Sequence, residues 1–322
     1  MMKKASAIGL TVVLAAALSV GCAQKNNQGA TPPAGNNDAG KAPAAQGYVP
    51  KELKVQFVPS QNAETLEAKA KPLEKLLGDR LGIPVKVSVS TDYNTVIEAM
   101  ASKQVDVGFL PPTNYVVAHD TKKAADLLLQ ATRFGVDDKT GQPTTELVDS
   151  YKAMIVVKAD SAIKEIKDLK GKKIGWQGTT SAAGYTYPAL LMKKNGVDPV
   201  SDVTGVQFQG HDKAVIALLN GQVDAVAVFQ DIRAQMQKDV PDIMQKTRVL
   251  AFTDKIPNDT ISVRPDMSAE WKKKISDAFI AIGKDPDGQK IIFDVYTHKG
   301  YVEGKDENFN VVRDANKQLS GK

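Results

Sequence analysis

An internal repeat constrains the fold of this 322-residue chain more than any other sequence feature. Residues 93–100 (YNTVIEAM) lead into residues 104–107 (QVDV), and residues 211–218 (HDKAVIAL) lead into residues 222–225 (QVDA), at a constant offset of 118. In each copy, apolar residues recur at the spacing of one helical face. A short, mostly apolar run follows each helix, which is typical of a strand buried on both faces of a parallel sheet. The repeat therefore predicts two related halves, with a chance match of two helix–strand units as the alternative.

The offset extends in both directions, so the sequence predicts an α/β protein of two lobes built on the same plan. We expect a strand at Tyr151–Val157 to cross from one lobe to the other, and Arg248–Phe252 with Thr260–Val263 to return. Two crossings make a two-strand hinge, which suits closure of the lobes around a ligand. The expected lobes are residues 51–152 with 248–322 (lobe 1) and residues 153–247 (lobe 2).

The N-terminus predicts the cellular address. Residues 1–21 combine two early lysines with the apolar stretch Ala7–Val20, which is the order of a secretory signal peptide. The following Cys22 resembles the lipidated cysteine of bacterial lipoproteins, although Ser19 stands where their motif has leucine. Residues 22–50 are rich in small and polar residues and predict a flexible tether beyond the lipidated cysteine. A plain signal peptide followed by an incidental cysteine is the alternative.

Composition excludes several classes of protein. With 42 basic and 37 acidic residues the formal net charge is +5, and no dense basic block predicts nucleic-acid binding. A single cysteine excludes an internal disulfide and a cysteine-based metal cage. The three histidines, His119, His211 and His298, lack metal-ligand spacing, and we expect His119 and His298 to face solvent. The sequence thus predicts no metal and no cofactor.

Hydroxyl side chains mark the expected binding cleft, because ligands of open α/β sheets bind beyond the C-terminal strand ends. The loop at 59–62 and the run Gly178–Tyr185 both follow predicted strands. That run places Thr179, Thr180 and Ser181 at a helix start, where hydroxyls and free backbone N–H groups suit an oxyanion. A simple helix N-cap is the alternative for this run.

Two further hydrogen-bond donors occupy equivalent positions in the two halves. Tyr93 and His211 each begin the repeated helix, so both are expected at the mouth of a strand end. A lone histidine is more often a surface or structural residue than a ligand, but the matched placement favours a binding role for this pair.

With these features together, the chain resembles the phosphate, phosphite and phosphonate-binding components of bacterial ABC importers. The resemblance covers about residues 50–300 and is carried by the lipoprotein start and the runs DYNTVIEAM, GTTSAAGY, QGHDKAV, GQVDAVAV and IPND. It implies a type II periplasmic-binding-protein fold, with an oxyanion held between the lobes. The ligand-binding residues that it implies are Tyr93, Thr113, Thr179, Thr180, Ser181, His211, Asp231 and Asp259.

An acidic side chain in a site that binds an anion needs a physical explanation, because like charges repel each other. Asp231 or Asp259 would repel a fully ionised ligand, but either accepts a hydrogen bond from a protonated phosphorus oxyanion. Phosphate-type groups have a second pKa near 6, so a protonated fraction persists at neutral pH, whereas sulfate has no proton to donate. We expect one of the two aspartates to make this discrimination, and a helix-start cap is the alternative for each.

The predicted function is that of an extracytoplasmic lipoprotein, anchored to the cell membrane, that binds phosphite, phosphonate or phosphate for an ABC importer. Its expected partners are the importer's permease and ATPase, and the protein is expected to be a monomer. We expect no catalytic residue, since no serine-nucleophile motif or paired metal cluster is present in the sequence. An extracytoplasmic phosphate-ester or phosphonate hydrolase and a ligand-sensing lipoprotein are the alternatives.

Overall fold

A computed structural model describes residues 47–321 of the chain. The predicted signal peptide, the predicted lipidation site at Cys22 and all but the last residues of the predicted tether lie outside this range. The strands are β1 (Leu53–Phe57), β2 (Val85–Val89), β3 (Val107–Leu110), β4 (Asp126–Val136), β5 (Pro143–Val148), β6 (Ser150–Lys158), β7 (Lys173–Trp176), β8 (Thr204–Gln207), β9 (Ala225–Phe229), β10 (Thr247–Pro257), β11 (Thr260–Val263) and β12 (His298–Glu303).

Helices connect most of these strands and cover the sheets. The α-helices are α1 (Ala63–Ala70), α2 (Leu73–Leu81), α3 (Tyr93–Ala101), α4 (Pro112–Val116), α5 (Tyr187–Lys194), α6 (His211–Leu219), α7 (Ile232–Met236), α8 (Ile243–Lys246), α9 (Ala269–Ile282), α10 (Pro286–Tyr296) and α11 (Asn310–Ser320). Two π-helical turns, Val117–Thr121 and Ala182–Thr186, follow α4 and precede α5 respectively. Within residues 47–321, no helix has both the length and the apolar character needed to cross a membrane.

The strands form two sheets, each the base of one lobe. Lobe 1 is built on a seven-stranded sheet in the order β12-β4-β11-β3-β1-β2, with β5 paired to β4. Lobe 2 is built on a five-stranded sheet in the order β10-β6-β9-β7-β8. Each sheet contains three parallel strands, β2-β1-β3 in lobe 1 and β8-β7-β9 in lobe 2. An antiparallel strand pairs with the last of the three in each sheet: β11 with β3, and β6 with β9. The prediction of a mixed α/β protein with two lobes is confirmed.

The predicted repeat is also confirmed, because β1-β2-β3 and β7-β8-β9 share one pairing pattern. Equivalent aspartates support it: Asp106 accepts a hydrogen bond from the Lys54 backbone at 2.9 Å, and Asp224 accepts one from the Lys173 backbone at 2.8 Å. Burial differs between the copies, since Asp106 also pairs with the buried Arg264 while Asp224 is exposed. Both β3 and β9 are almost entirely buried, as expected for central strands of parallel sheets.

The chain crosses between the sheets at two adjacent points. It leaves lobe 1 at Asp149, between β5 and β6, and returns through Asn258 and Asp259, between β10 and β11. The Asn258 backbone N–H donates to the Asp149 carbonyl at 2.7 Å, so the crossings lie side by side. The first change of sheet lies about three residues before the boundary expected at 152/153, but the second lies about ten residues after the one expected at 247/248. Arg248–Phe252, expected to return to lobe 1, instead belongs to β10 and pairs with β6 in the lobe 2 sheet. The two-strand hinge stays a prediction.

Lobe 1 has its own apolar core, in which the Phe57 and Phe109 rings stack with centroids 4.1 Å apart. Such aromatic pairs add about 0.5–1.5 kcal/mol beyond the burial of their area. A second apolar cluster joins the lobes behind the cleft, where Tyr115 and Phe309 pack near Tyr187 and Leu190 of α5. The two lobes are therefore joined by continuous packing on this side of the cleft.

Candidate functional site

The cleft between the lobes contains a cavity of about 60 Å³. On this scale one water molecule occupies about 10–15 Å³, so the space suits a ligand of a few heavy atoms. Polar side chains of both lobes and of the crossing segment line it: Ser60, Gln61, Tyr93, Arg133, Tyr151, Ser181, His211, Gln235, Asn258, Asp259 and Thr297. Direct contacts close its mouth, since the His211 backbone N–H donates to the Ser60 carbonyl at 2.9 Å and Gln61 Nε2 donates to Gln235 Oε1 at 3.0 Å.

Tyr93 and His211 meet inside the cavity, with Tyr93 Oη 3.4 Å from His211 Nε2. Each is the first residue of the repeated helix, α3 or α6, so the pseudo-symmetry of the lobes brings the two donors together. Burial lowers the pKa of His211 to about 3, with the nearby Ala227 carbonyl acting in the opposite direction. Burial raises the pKa of the Tyr93 phenol well above its ordinary value. The pair is thus an uncharged donor set.

Two serines contribute hydroxyls from opposite walls. The Ser60 hydroxyl, in the loop after β1, is buried and has no hydrogen-bond partner among the described residues. Ser181 caps the turn that leads into α5, and its Oγ accepts from the Gly184 N–H at 3.1 Å, so its own O–H proton remains available. Ala182 and Ala183, at the start of the same turn, also line the cavity. Starting N–H groups of a helical segment lack partners within it and suit an anion.

The other predicted hydroxyls lie elsewhere. Thr180 donates to Asn94 Oδ1 at 2.9 Å across the rim of the cleft, and Thr179 is exposed outside it. Thr113 is buried behind the cavity and donates to Thr186 Oγ1 at 3.1 Å. The structure therefore brings Tyr93, Ser181, His211 and Asp259 to the cavity but not these three threonines. Ser181 faces inward because its side chain caps the turn, which turns its neighbours Thr179 and Thr180 outward.

Asp231 does not border the cavity, because the side chain of Arg133 lies between its carboxylate and the cavity. Arg133 Nη2 lies 2.6 Å from Asp231 Oδ2, and the two side chains are only 7% and 5% exposed. Arg133 belongs to β4 of lobe 1 and Asp231 precedes α7 of lobe 2, so this buried ion pair joins the lobes. The Arg133 guanidinium also lies 5.7 Å from the centroid of the Tyr151 ring.

Asp259 borders the cavity from the crossing segment between β10 and β11. One of its carboxylate oxygens lies 3.5 Å from His298 Nε2, and its side chain is 17% exposed. The neighbouring Asn258 presents a buried side-chain amide, Nδ2, without a hydrogen-bond partner among the described residues. A carboxylate acceptor therefore stands beside several donors, an arrangement that suits a partly protonated oxyanion.

The predicted solvent exposure is wrong for His298 and holds only in part for His119. His298 is 2% exposed, packed between Tyr296 and Tyr301 in lobe 1. The half-buried His119 stacks on Tyr115, and its Nδ1 lies 2.7 Å from the Ala125 carbonyl. Neither position shows the apolar periodicity that signals burial, since aromatic packing from other elements covers both rings.

Several cavity residues escaped the sequence analysis, namely Arg133, Tyr151, Gln235, Asn258 and Thr297. Ser60 had one available signal, since it lies in the loop after β1, where a ligand of an α/β sheet is expected. Arg133 and Tyr151 lie within long strands, and nothing in the local pattern distinguishes the face that meets the cleft.

Comparison with known proteins agrees with this geometry. The model of a protein family described as "ABC transporter, phosphonate, periplasmic substrate-binding protein" matches residues 55–309. The chain belongs to this family. The family description names periplasmic substrate-binding proteins of ABC transporters.

Two curated relatives show which proteins of known role the chain is similar to in sequence. It is 28% identical to the Phosphate-import protein PhnD of Mycolicibacterium smegmatis over 215 residues, which cover 64% of each chain. It is 24% identical to the Phosphonates-binding periplasmic protein of Escherichia coli, over 75% of this chain and 69% of that one. Less than two thirds of the mycobacterial relative is therefore matched.

The fold is that of the type II periplasmic binding proteins. A binding component of an ABC phosphonate transporter from Pseudomonas aeruginosa superposes with a TM-score of 0.72 at 20% identity, over 84% of this chain and 86% of that chain. A Prochlorococcus marinus protein in complex with methylphosphonate superposes with a TM-score of 0.70 at 17% identity, over 84% and 98% of the two chains. The predicted fold class is thereby confirmed.

Proposed function

We propose that this protein binds a small phosphorus oxyanion (phosphite, phosphonate or phosphate) in its interlobe cleft and delivers it to the permease of an ABC importer. One observation carries the proposal: Tyr93 and His211 converge from the two lobes on a cavity of about 60 Å³ that Asp259 borders. The relatives that import phosphate or bind phosphonates support this ligand class.

The charges of the cleft favour a ligand that brings a proton. Asp231 and Asp259 carry the acidic groups, Arg133 carries the one guanidinium at the cavity, and burial keeps His211 neutral. A fully ionised ligand would be repelled by the Asp259 carboxylate, because the charge of Arg133 is already balanced by Asp231. A ligand that retains a P–OH group donates to that carboxylate while its other oxygens accept from Tyr93, Ser60 and Ser181.

The proposed setting is a lipoprotein anchored through Cys22, with residues 22–50 as a tether and with the importer's permease and ATPase as partners. The sequence order of positive, apolar and small residues before Cys22 supports the anchor. We propose no catalytic step, because the His211 ring contacts Tyr93, and the Ser181 oxygen accepts from the Gly184 backbone. A hydrolase would instead need a nucleophile in contact with its base.

Thermal unfolding tests the ligand class. A ligand that binds only the folded protein raises its stability by about 2.7 kcal/mol at a concentration of one hundred times Kd. We expect phosphite, methylphosphonate or phosphate to raise the melting temperature and sulfate to leave it unchanged. If none of the phosphorus oxyanions raises it, the proposed function is wrong.

Asp259 makes the sharpest single test of proton recognition. The variant Asp259→Asn is expected to bind the preferred oxyanion about 10- to 100-fold more weakly, since a charged hydrogen bond contributes about 1.5–3 kcal/mol. Its rejection of sulfate is expected to weaken as well, because the amide donates a hydrogen bond where the carboxylate accepted one. Isothermal titration calorimetry measures both affinities.

The matched control is Asp254→Asn, which alters an aspartate with a 78% exposed side chain, paired with Lys194 outside the cavity. It is expected to bind like the wild type. Unchanged affinity together with unchanged rejection of sulfate in Asp259→Asn would contradict the role of this carboxylate.

A further inference from the structure

Arg133, in one wall of the cavity, belongs to a buried ion pair to which the proposed function assigns no contact with the ligand. Arg133 and Asp231 approach to 2.6 Å across the two lobes, and both side chains are more than nine-tenths buried. The guanidinium borders the cavity, whereas the carboxylate lies behind it. A ligand in the cleft therefore meets the cation first.

One oxygen of this carboxylate, Oδ2, has two donors, and the other, Oδ1, is buried without a hydrogen bond to any described residue, but Asp231 does not line the cavity. Asp231 Oδ2 accepts from Arg133 Nη2 and from Gln235 Nε2, the latter at 2.8 Å. A ligand cation would have to displace the guanidinium to reach Asp231. Since Arg133 is held between Asp231 and the Tyr151 ring, 5.7 Å away, this displacement is unfavourable.

The guanidinium, which does line the cavity, has an unused donor. Arg133 Nε is buried and makes no hydrogen bond to any described residue. Leaving a buried charged donor unpaired is costly, and a hydrogen-bond acceptor on a ligand would satisfy it. The guanidinium therefore favours an oxygen at this end of the ligand and disfavours a positive charge.

The geometry points to Arg133 as a specificity-determining residue that makes the cleft select phosphorus oxyanions without a cationic substituent. This inference rests on the proposed function, because it concerns the part of the ligand beyond the oxyanion itself. In this interpretation Asp231 holds the guanidinium in place and is a positioning residue. Phosphate, phosphite and methylphosphonate fit the selection, whereas aminoalkylphosphonates do not.

Three phosphonates distinguish the effect of a ligand's positive charge on affinity from the effect of its size. Propylphosphonate and 2-aminoethylphosphonate have the same number of heavy atoms and differ in a terminal methyl against a terminal ammonium group, while methylphosphonate is the small reference. For the wild-type protein, titration calorimetry is expected to show 2-aminoethylphosphonate binding about 10- to 100-fold more weakly than propylphosphonate, the range of one charged hydrogen bond.

Variants of the ion pair give the decisive comparison. In Arg133→Met, Asp231 loses its partner and becomes a buried acceptor for a cation. The affinity ratio of 2-aminoethylphosphonate to propylphosphonate is therefore expected to rise at least about tenfold above its wild-type value. In the double variant Arg133→Met/Asp231→Asn neither charge remains, and the ratio is expected to lie close to one.

A purely structural bridge between the lobes makes a different prediction. If the pair only held the lobes together, Arg133→Met and Asp231→Asn would weaken methylphosphonate binding equally and leave the ligand ratio unchanged. We instead expect Arg133→Met to weaken methylphosphonate binding at least about tenfold more than Asp231→Asn, which leaves the cation in place. Circular dichroism with thermal unfolding identifies any variant that fails to fold. In that case the inference is still tested by the ratio of the wild-type affinities for 2-aminoethylphosphonate and propylphosphonate.

The inference and the proposed function fail in distinguishable ways. Equal affinity of the wild type for 2-aminoethylphosphonate and propylphosphonate, with clear binding of methylphosphonate, would overturn the inference alone. An unchanged ligand ratio in a folded Arg133→Met variant would do the same. If the wild type binds none of the phosphorus oxyanions, the proposed function itself is wrong.

Discussion

His211 shows at the scale of one residue how burial sets the chemistry of the cleft. The ring lies against Phe229, with centroids 4.8 Å apart, and contacts Tyr93 across the lobes. Its pKa of about 3 means that it stays neutral through the physiological range. A neutral imidazole next to a phenol supplies hydrogen bonds without adding charge, so the ionic balance of the cleft depends on Arg133 and the two aspartates.

This depressed pKa predicts a loss of stability in mild acid. The unfolded chain takes up a proton at the ordinary pKa of 6.5, while the closed protein resists protonation down to about 3. Stability is therefore lost as pH falls from 6.5 towards 3, by up to about 1.4 kcal/mol per pH unit. Between pH 7.5 and pH 5, the ligand-free wild type is expected to lose up to about 2 kcal/mol more than His211→Gln.

Urea unfolding at the two pH values measures this difference. All other titrating groups are the same in the wild type and in His211→Gln, so their contributions cancel when the two losses of unfolding free energy are compared. The control His119→Gln removes a histidine outside the cleft and is expected to behave like the wild type. An equal acid sensitivity of His211→Gln and the wild type would contradict the buried, neutral state of this ring.

Helix α6 illustrates how an element is fitted to the opposite lobe. It begins after Gly210, whose φ of +111° lies in the region that favours glycine. A Cβ atom at this position would lie 2.5 Å from Asp212 Oδ1, at the end of a side chain of the same helix, and 3.1 Å from the backbone carbonyl carbon of Gln61, in lobe 1. The start of α6 therefore approaches the other lobe as closely as the absence of a side chain permits, and this approach places His211 in the cavity.

Gly210→Ala is accordingly expected to hinder closure. The substitution adds backbone strain of about 1–3 kcal/mol and a contact that exists only when the lobes meet. We expect ligand affinity to fall at least about tenfold, as measured by calorimetry. Gly196→Ala is the matched control, because its φ of +75° adds strain while its Cβ would meet nothing within 4 Å. Loss of affinity in both variants alike would show that strain alone is responsible.

At the scale of the whole molecule, α11 braces the side of the cleft opposite its mouth. Arg313 binds Asp120 of lobe 1 through two hydrogen bonds of 2.7 and 2.9 Å. At the other end of the helix, Lys193 of lobe 2 donates to the carbonyls of Gln318 and Leu319, at 2.8 and 3.1 Å. A cation at a helix C-terminus satisfies carbonyls that have no partner within the helix. One helix therefore attaches to both lobes and restricts how they move.

Lys193→Met is expected to release the lobe 2 end of this brace. Small-angle X-ray scattering of the ligand-free protein should show a larger radius of gyration than the wild type, and ligand affinity should fall a few-fold because more open states compete with closure. The neighbouring Lys194→Met, which removes an exposed pair with Asp254, is the matched control. Scattering that does not distinguish the two variants would exclude the bracing role.

The local pattern of the sequence determined the two-lobed plan and the pairing of Tyr93 with His211. Helical and strand periodicities are written into neighbouring residues, and a repeat of these periodicities specifies a repeat of the structure. Because both residues begin the same helix of that repeat, their meeting follows from pseudo-symmetry. The inward position of Ser181 was likewise predictable in kind, since capping hydroxyls recur at helix starts.

Only the tertiary structure decided which other side chains face the ligand. Arg133 lies in the middle of β4 and meets Asp231 only because the two lobes pack together, so no local signal marks either residue as half of a pair. Packing between the lobes also turned Thr113 and Thr179 away from the cavity, and packing within lobe 1 buried His298 among aromatic rings. Side-chain direction across an interface depends on contacts between residues distant in the chain, and periodicity contains no information about them.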